Sequence, residues 1–343
     1  MKKAITAQLS AIRKKAKGRA TGFVIGNTSD LFNTGRYYET PMRETSELIY
    51  GGVIVRDAET AKTIAKLADG KVGYIFVDDE KKIRKIYYGR NDDGNIEKAV
   101  RNVVTTSTLI SYKGNDLAVE AVDALVRGLV PTLHGNTIAI IGAGNLGSKI
   151  ALKLVERGEN IKAFRRNQKK LKVIVAGVNA IKSSYTKAKV ASAPNITAAC
   201  RGAYVVIGAT NEKGVITKDM IRHARHPVIL IDAGKGCFAD DITSDPAHLV
   251  YRVDISIIQK HFFYSLIQAH RHFKKTMGRR HIPELSATIV TAGLLAGKGE
   301  FIVDDIKHPT QVIGISAGKG VLEKNTSSVL KSIKRARQFF KIQ

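Results

Sequence analysis

Gly142-Ala143-Gly144-Asn145-Leu146-Gly147 forms a G-x-G-x-x-G run, the residue spacing that lets a backbone turn hold a pyrophosphate. Its neighbours decide whether it does so. Ile138 to Ile141 are apolar and predict a buried strand, whereas Leu146, Ile150 and Leu154 are spaced for a helix that stops near Gly158. Ile161 to Phe164 then predict a second strand, so residues 138–167 read as one β-α-β unit of about thirty residues. Gly142 would permit the tight turn, Gly144 would let backbone approach the phosphates, and Gly147 would let helix and strand pack closely. The first amides of the helix would face the anion. The reading is a dinucleotide site with Gly142, Ala143, Gly144, Asn145, Leu146 and Gly147 as its floor.

The end of the second strand selects between dinucleotides. A site for NAD places Asp or Glu there to accept from the ribose hydroxyls. Here stand Arg165, Arg166 and Asn167, followed by Lys169 and Lys170, with no carboxylate between Glu159 and the end of the run. A guanidinium at this point clamps a 2′-phosphate, so NADP(H) is expected over NAD. Two more strands, Tyr204–Ile207 and Val228–Ile231, end in Gly208-Ala209-Thr210-Asn211 and Asp232-Ala233-Gly234-Lys235-Gly236. Strand ends of a parallel sheet open into the cofactor crevice, which places Ala209, Thr210, Asn211, Ala233 and Gly234 against the nicotinamide half. The tetrapeptide AGKG returns at 317–320 behind a strand at Val312–Ile315, either as a second crevice loop or as a turn that merely uses glycine. At 296–299, before Phe301–Val303, it reads as a hairpin turn.

Hydride transfer to a carbonyl or imine needs a proton donor near the oxygen or nitrogen and a cation for any substrate carboxylate. Lys113 and Asp116 are candidates for a donor and its orienting partner, although Asp116 equally suits a helix cap with Lys113 solvated. Lys235 is the alternative donor. Arg43, within Thr40-Pro41-Met42-Arg43-Glu44-Thr45, is the candidate substrate anchor. No metal is expected: His261, His270 and His272 share one basic helix without nearby acids.

These residues need a two-domain scaffold, which 343 residues suffice to build. Before the fingerprint, Gly22–Ile25, Val53–Val55 and Val72–Val77 predict strands and Ala58–Leu67 a helix, with a polar loop over 27–43 and an edge strand at Ile83–Tyr88. Asn91 to Asn95 read as an exposed turn, and Leu117–Leu129 as a helix leading into the nucleotide-binding half, with a hinge near Asp116 or Val130-Pro131. After it, Ile216–Ala224 predicts a helix, Val250–Ile255 a strand, and a long basic helix follows to about Met277. The expected architecture is α/β: a small N-terminal α/β domain (1–116) for substrate and dimerisation, and a doubly wound, mostly parallel Rossmann domain (117–322). A basic C-terminal helix (323–343) would return across the cleft.

The net charge of +26 is concentrated. Residues 1–20 hold seven Lys/Arg and no acid, 162–172 six, 260–280 six, and 323–343 six against Glu323. No zinc-finger spacing, RNP-type motif or tryptophan accompanies them, so no specific nucleic-acid partner is expected. Ile5, Leu9, Ile12 and Ala16 make the basic start a helix of the folded protein sooner than a hydroxyl-poor transit peptide. Two cysteines, Cys200 and Cys237, fit free thiols in a reducing, cytoplasmic setting, and no apolar run is long enough for a membrane span.

The order of a small α/β domain, a lead-in helix, a glycine fingerprint and a C-terminal helical return resembles the amino-acid dehydrogenase and shikimate dehydrogenase superfamily. Gly114-Asn115-Asp116 is similar to a Gly-x-Asn-Thr-Asp segment there, and Arg165-Arg166-Asn167 to the Asn-Arg-Thr clamp of its NADP enzymes. Leu266-Ile267-Gln268-Ala269, with Phe273 and Gly278, resembles a late helix whose glutamine faces substrate, which implies a substrate role for Gln268. The likeness covers mainly residues 110–280. The Asn-Val-Thr-x-Pro-His-Lys and Ser-Leu-Ser segments of shikimate dehydrogenases are missing, which puts their substrate in doubt here.

The expectation is a homodimeric NADP(H)-dependent dehydrogenase or reductase for a small anionic oxo, imino or amino-acid-type metabolite held between domains. Two alternatives stay open: a non-catalytic dinucleotide sensor with a basic partner-binding surface, and a non-redox NAD-dependent lyase or cyclase, as in ornithine cyclodeaminase relatives.

Overall fold

The computed structural model describes residues 1–28, 35–81, 95–130, 132 and 135–342. The expected edge strand at 83–88, the turn at 91–94 and the hinge position Pro131 lie outside them. Chain contacts divide the protein into two compact units, Met1–His261 and Phe262–Gln343.

The first unit opens with α1 (Lys2–Lys15). It continues through β1 (Ala20–Asn27), β2 (Tyr37–Glu44), β3 (Leu48–Val55), α2 (Ala58–Ala68), β4 (Tyr74–Asp78), α3 (Ile96–Arg101) and β5 (Thr108–Tyr112). Its sheet runs β2-β3-β1-β4-β5, parallel except for β2. The basic start of the chain is an integral helix, because Ile5, Leu9 and Ile12 are buried against Phe23, Ile49 and Val53. β2 occupies part of what the sequence presents as a polar loop. As an edge strand it leaves Tyr38, Glu39, Pro41 and Glu44 exposed while Tyr37 and Met42 pack on the core, and Pro41 is tolerated at the register shift between Thr40 and Arg43.

Asp69, at the C-terminus of α2, accepts from the amides of Thr105, Thr106 and Ser107 and from the Thr105 hydroxyl, at 2.7–3.2 Å. Desolvation raises this carboxyl, but those hydrogen bonds outweigh it and bring its pKa to about 2. A native value below the unfolded one, about 3.9, means stabilisation that is complete above the unfolded value and vanishes as pH falls through the native one. Asp69→Asn is therefore expected to melt below the wild type at neutral pH, with the gap closing between about pH 4 and 2. A gap that stays constant over that range in thermal melts would overturn this.

The second sheet follows α4 (Gly114–Leu129) and contains β6 (Thr137–Ile141), β7 (Asn160–Phe164), β8 (Val190–Ser192), β9 (Val205–Gly208), β10 (Ile229–Asp232) and β11 (Val250–Arg252). Its order is β11-β10-β9-β6-β7-β8 with every pair parallel. Counted from β6 this is 3-2-1-4-5-6, the doubly wound dinucleotide-binding order. Alternate residues of β6 serve opposite cores. Ile138 and Ile140 pack with α4, α5 (Asn145–Glu156) and α6 (Gln168–Ile181), while Ala139 and Ile141 pack with α7 (Ile196–Cys200), α8 (Lys218–Ile221) and α9 (Asp240–Thr243). The helix expected over 216–224 shrinks to the single turn of α8, since Ile216 is drawn into a bridge with Phe238.

α10 (Ser256–Arg271) crosses the division between units and ends in a π-helical turn, His272–Thr276. The second unit then forms its own sheet from β12 (Arg279–Ile282), β13 (Ala287–Thr291), β14 (Phe301–Val303), β15 (Val312–Gly318) and β16 (Val321–Leu322), closed by α11 (Ser327–Phe339). The strand at 312 thus belongs to this sheet and does not extend the nucleotide-binding one. The AGKG at 317–320 is no crevice loop: Lys319 and Gly320, both at positive φ, make the two-residue turn between antiparallel β15 and β16. The AGKG at 296–299 is not a hairpin either, because it connects two parallel strands, β13 and β14. α11, expected to return across a cleft, seats its apolar side chains Val329, Ile333 and Ala336 in the core of this sheet, joined by Phe340 just past its end.

Candidate dinucleotide site

Gly142 leaves β6 with φ +108°, a conformation that favours glycine, and its amide and that of Ala143 both donate to the Phe164 carbonyl at the end of β7. A Cβ on Gly142 would lie 2.7 Å from the Ala209 backbone, and one on Gly147 would lie 2.3 Å from the Gly142 carbonyl oxygen. Both glycines are therefore fixed by close backbone approach. Gly144 differs: its φ is −96°, and a Cβ there would meet nothing within 4 Å. It is the N-cap of α5 and supplies no side-chain cap, so Asn145, Leu146 and Gly147 present their amides at an uncapped helix start. Open space in front of uncapped amides is what a pyrophosphate requires.

Arg165, just past β7, donates from Nη1 to the Ala143 carbonyl at 3.0 Å and so lies along the glycine loop. Arg166 is exposed and pairs with Glu212 at 2.8 Å. Asn167 caps α6 by accepting from the Lys170 amide at 2.9 Å. A carboxylate of the NAD-selecting kind is absent from the end of β7, and two guanidiniums occupy its surroundings.

The loops after β9 and β10 complete the strand-end surface. A Cβ on Gly234 would come within 2.0 Å of the Thr210 carbonyl oxygen, so Ala209-Thr210-Asn211 and Ala233-Gly234 are stacked loop on loop. Asp232 organises the second loop. Its carboxylate accepts from the amides of Gly234 (3.1 Å), Gly236 (2.5 Å) and Cys237 (3.3 Å). Lys235 is thereby held outward in the left-handed region at φ +69°. Asp232 was not among the expected site residues, although an Asp directly before a glycine-rich stretch signals this Asx-type turn. Glu212 carried no sequence signal, since only the strand order brings it to Arg166. Cys237 is buried beneath the loops and donates to the Thr210 carbonyl; burial pushes its thiol up to about 12, and that of Cys200 likewise. Neither thiol is poised as a nucleophile.

Lys113 and Asp116 do not meet as a donor–orienter pair. Lys113 is the exposed N-cap of α4, and its charge opposes the rise that desolvation imposes on the Asp79 carboxyl. Asp116 pairs with Lys149 of α5 at 2.6 Å. The α4 cap is supplied from elsewhere: the Gly114 amide faces Asp78 at 3.4 Å and the Asn115 amide donates to Glu80 at 2.9 Å. Arg43 stands opposite Tyr50 in the β2–β3 register. The Asp254 carboxylate is held below its usual range by hydrogen bonds from Ser256, and the nearby charges of Arg43 and Arg252 act in the same direction. Burial raises the Tyr50 phenol, whose hydroxyl meets Gln259 Oε1 at 3.3 Å. Gln268 is exposed on the part of α10 that belongs to the second unit. Among the described residues no group of three or more His, Cys, Asp or Glu is arranged to hold a metal ion, and no helix is long and apolar enough to cross a membrane.

Residues 137–236 match the family model described as NADP oxidoreductase, coenzyme F420-dependent. The match begins with β6 and ends with the Asp232 loop, covering the glycine turn, both arginines and both strand-end loops. Over that stretch the chain carries an NAD(P)-binding oxidoreductase fold of Rossmann type. No curated protein sequence matches the chain. Among solved structures, ornithine carbamoyltransferase from Gloeobacter violaceus is 14% identical with TM-score 0.43, covering 76% of this chain and 90% of that one. The anabolic ornithine carbamoyltransferase of Campylobacter jejuni gives 11% identity and TM-score 0.44 over 78% and 95% of the two chains. Glutamyl-tRNA reductase from Methanopyrus kandleri is 19% identical with TM-score 0.35, over 46% of this chain and 39% of that one. At these scores the likenesses carry no weight for the activity.

Proposed function

We propose that the protein is an NADP(H)-dependent oxidoreductase, a relative of the amino-acid dehydrogenase and shikimate dehydrogenase superfamily. It transfers hydride to or from a small anionic oxo, imino or amino-acid-type metabolite. The observation that carries this reading is the combination of an open, uncapped glycine cradle at Gly144–Gly147 with arginines in place of an acid at the end of β7. In it, the amides of Asn145 to Gly147 hold the pyrophosphate and Arg165 and Arg166 hold the 2′-phosphate. The backbone of Ala209–Asn211 and Ala233–Gly234 lies against the nicotinamide half. NADPH, when bound, supplies the hydride. Lys235, held outward beside the strand ends, is the first candidate to exchange the substrate proton, with Lys113 the second; Arg43 is the candidate carboxylate anchor, and a homodimer the assembly.

The test is a fluorescence titration with NADPH and NADH at moderate salt. NADPH is expected to bind at least about tenfold more tightly, and Arg165→Ala with Arg166→Ala to remove that preference, because two charge-assisted contacts are lost. Equal affinities in the wild type would remove the NADP assignment. One observation favours a second reading, a dinucleotide sensor that holds an anionic partner. Lys331, Lys334, Arg337 and Lys341 on and beside α11 are exposed, and among the described residues no carboxylate pairs with them. NADPH consumption in a screen of oxo and imino acids, lost in Lys235→Ala or Lys113→Ala while NADPH still binds, would decide for the enzyme.

A further inference from the structure

Arg166 and Glu212 project from loops on opposite sides of the glycine turn. Arg166 follows β7 and Glu212 follows β9, while β6, which carries the turn, lies between those two strands. Neighbouring strands are about 4.8 Å apart, so the contact of 2.8 Å closes a span of about 10 Å across the end of β6. The Glu212 amide donates to Thr210 Oγ1 at 3.2 Å, which sets the direction of this loop. Arg165 is engaged with the Ala143 carbonyl instead, so the two arginines differ: one lies along the loop, the other is paired across it.

We propose that Glu212 is a specificity-determining residue that competes with the 2′-phosphate of NADP(H) for the guanidinium of Arg166. The inference rests on the NADP(H) reading above. A carboxylate and a phosphate dock on a guanidinium in the same forked geometry, so the phosphate exchanges with Glu212 as one oxyanion for another. NADH carries a neutral hydroxyl at that carbon and has nothing to exchange, so Glu212 weakens NADPH binding selectively. The side chains are 82% and 53% exposed, and an exposed pair of this kind corresponds to only about two- to fivefold in affinity.

The experiment measures NADPH and NADH dissociation constants for the wild type, Glu212→Gln, Arg166→Ala and the double variant. Glu212→Gln is expected to tighten NADPH about two- to fivefold and leave NADH unchanged, and the same substitution is expected to do nothing when Arg166 is already alanine. A wild type that prefers NADPH by a ratio Glu212→Gln does not alter would overturn the competition alone. Equal tightening of NADH, or equal gain in the Arg166→Ala background, would also overturn it, by showing an effect of loop or field that does not pass through Arg166. If wild type and Glu212→Gln both bind the two cofactors equally, the NADP(H) reading fails and the competition with it. If preference for NADPH emerges only in Glu212→Gln, the NADP(H) assignment of the wild type fails, while the competition at Arg166 stands as the reason for it.

Discussion

Gly144→Ala is expected to weaken NADPH binding by about 10- to 100-fold while lowering stability by no more than about 1 kcal/mol. The residue has an ordinary φ and an empty surround, so a methyl group finds room in the protein and obstructs only what would approach the helix start. The small loss reflects the modest preference for glycine over alanine at a helix N-cap. Gly147→Ala should behave in the opposite way. Its Cβ would lie 2.3 Å from a carbonyl oxygen, a backbone neighbour that cannot move aside, which costs about 1–3 kcal/mol in folding before any ligand is considered. Thermal melts and cofactor titrations on both variants separate the two roles. Undiminished NADPH affinity in Gly144→Ala would mean that the pyrophosphate does not lie over this glycine.

The other large effect concerns stability. Asp123 of α4 is 1% exposed and is gripped by Arg157 at the end of α5, through Nη2 at 2.7 Å and through Nε, with Arg127 at 3.2 Å. Removing one partner of a buried pair strands the other charge, whereas exposed pairs are nearly neutral. Arg157→Met leaves Asp123 with Arg127 as its remaining partner and should therefore lower unfolding free energy by about 1–3 kcal/mol. Lys149→Met, which removes the exposed pair with Asp116 on the same two helices, should change it by less than about 1 kcal/mol. Denaturant midpoints of the two variants check this, and equal effects would refute it.

The nucleotide-binding half was legible because its signals are local. A buried strand, a glycine turn and a 3.6-residue stripe follow one another between Ile138 and Phe164, and each dictates its own structure before any long-range contact forms. What escaped depended on partners distant in sequence. Tyr37–Glu44 is polar because it is an edge strand, and such strands lack the apolar alternation that reveals central ones. Val312–Ile315 was visible as a strand, but nothing local says which sheet it joins. From its position alone Asp116 suits a helix cap or the partner that orients Lys113. The cap comes from Asp78 and Glu80, more than thirty residues earlier, and Asp116 faces Lys149. The arginines at 165 and 166 look equivalent in sequence, and only the order of the strands distinguishes the one that meets Glu212.

Helix α4 receives its first hydrogen-bond acceptors from residues at and beyond the end of β4, and buries Val119, Val122 and Val126 against the second sheet. It is also linked along its length to α5 through Asp116–Lys149, Glu120–Lys153 and Asp123–Arg157. One helix is thus part of the structure of two sheets, and neither sheet can open globally without stripping it from the other. Residues 1–261 are accordingly expected to open as a single cooperative foldon: the slowest-exchanging amides of β4 and of β6 should report the same opening, although the two strands belong to separate hydrophobic cores.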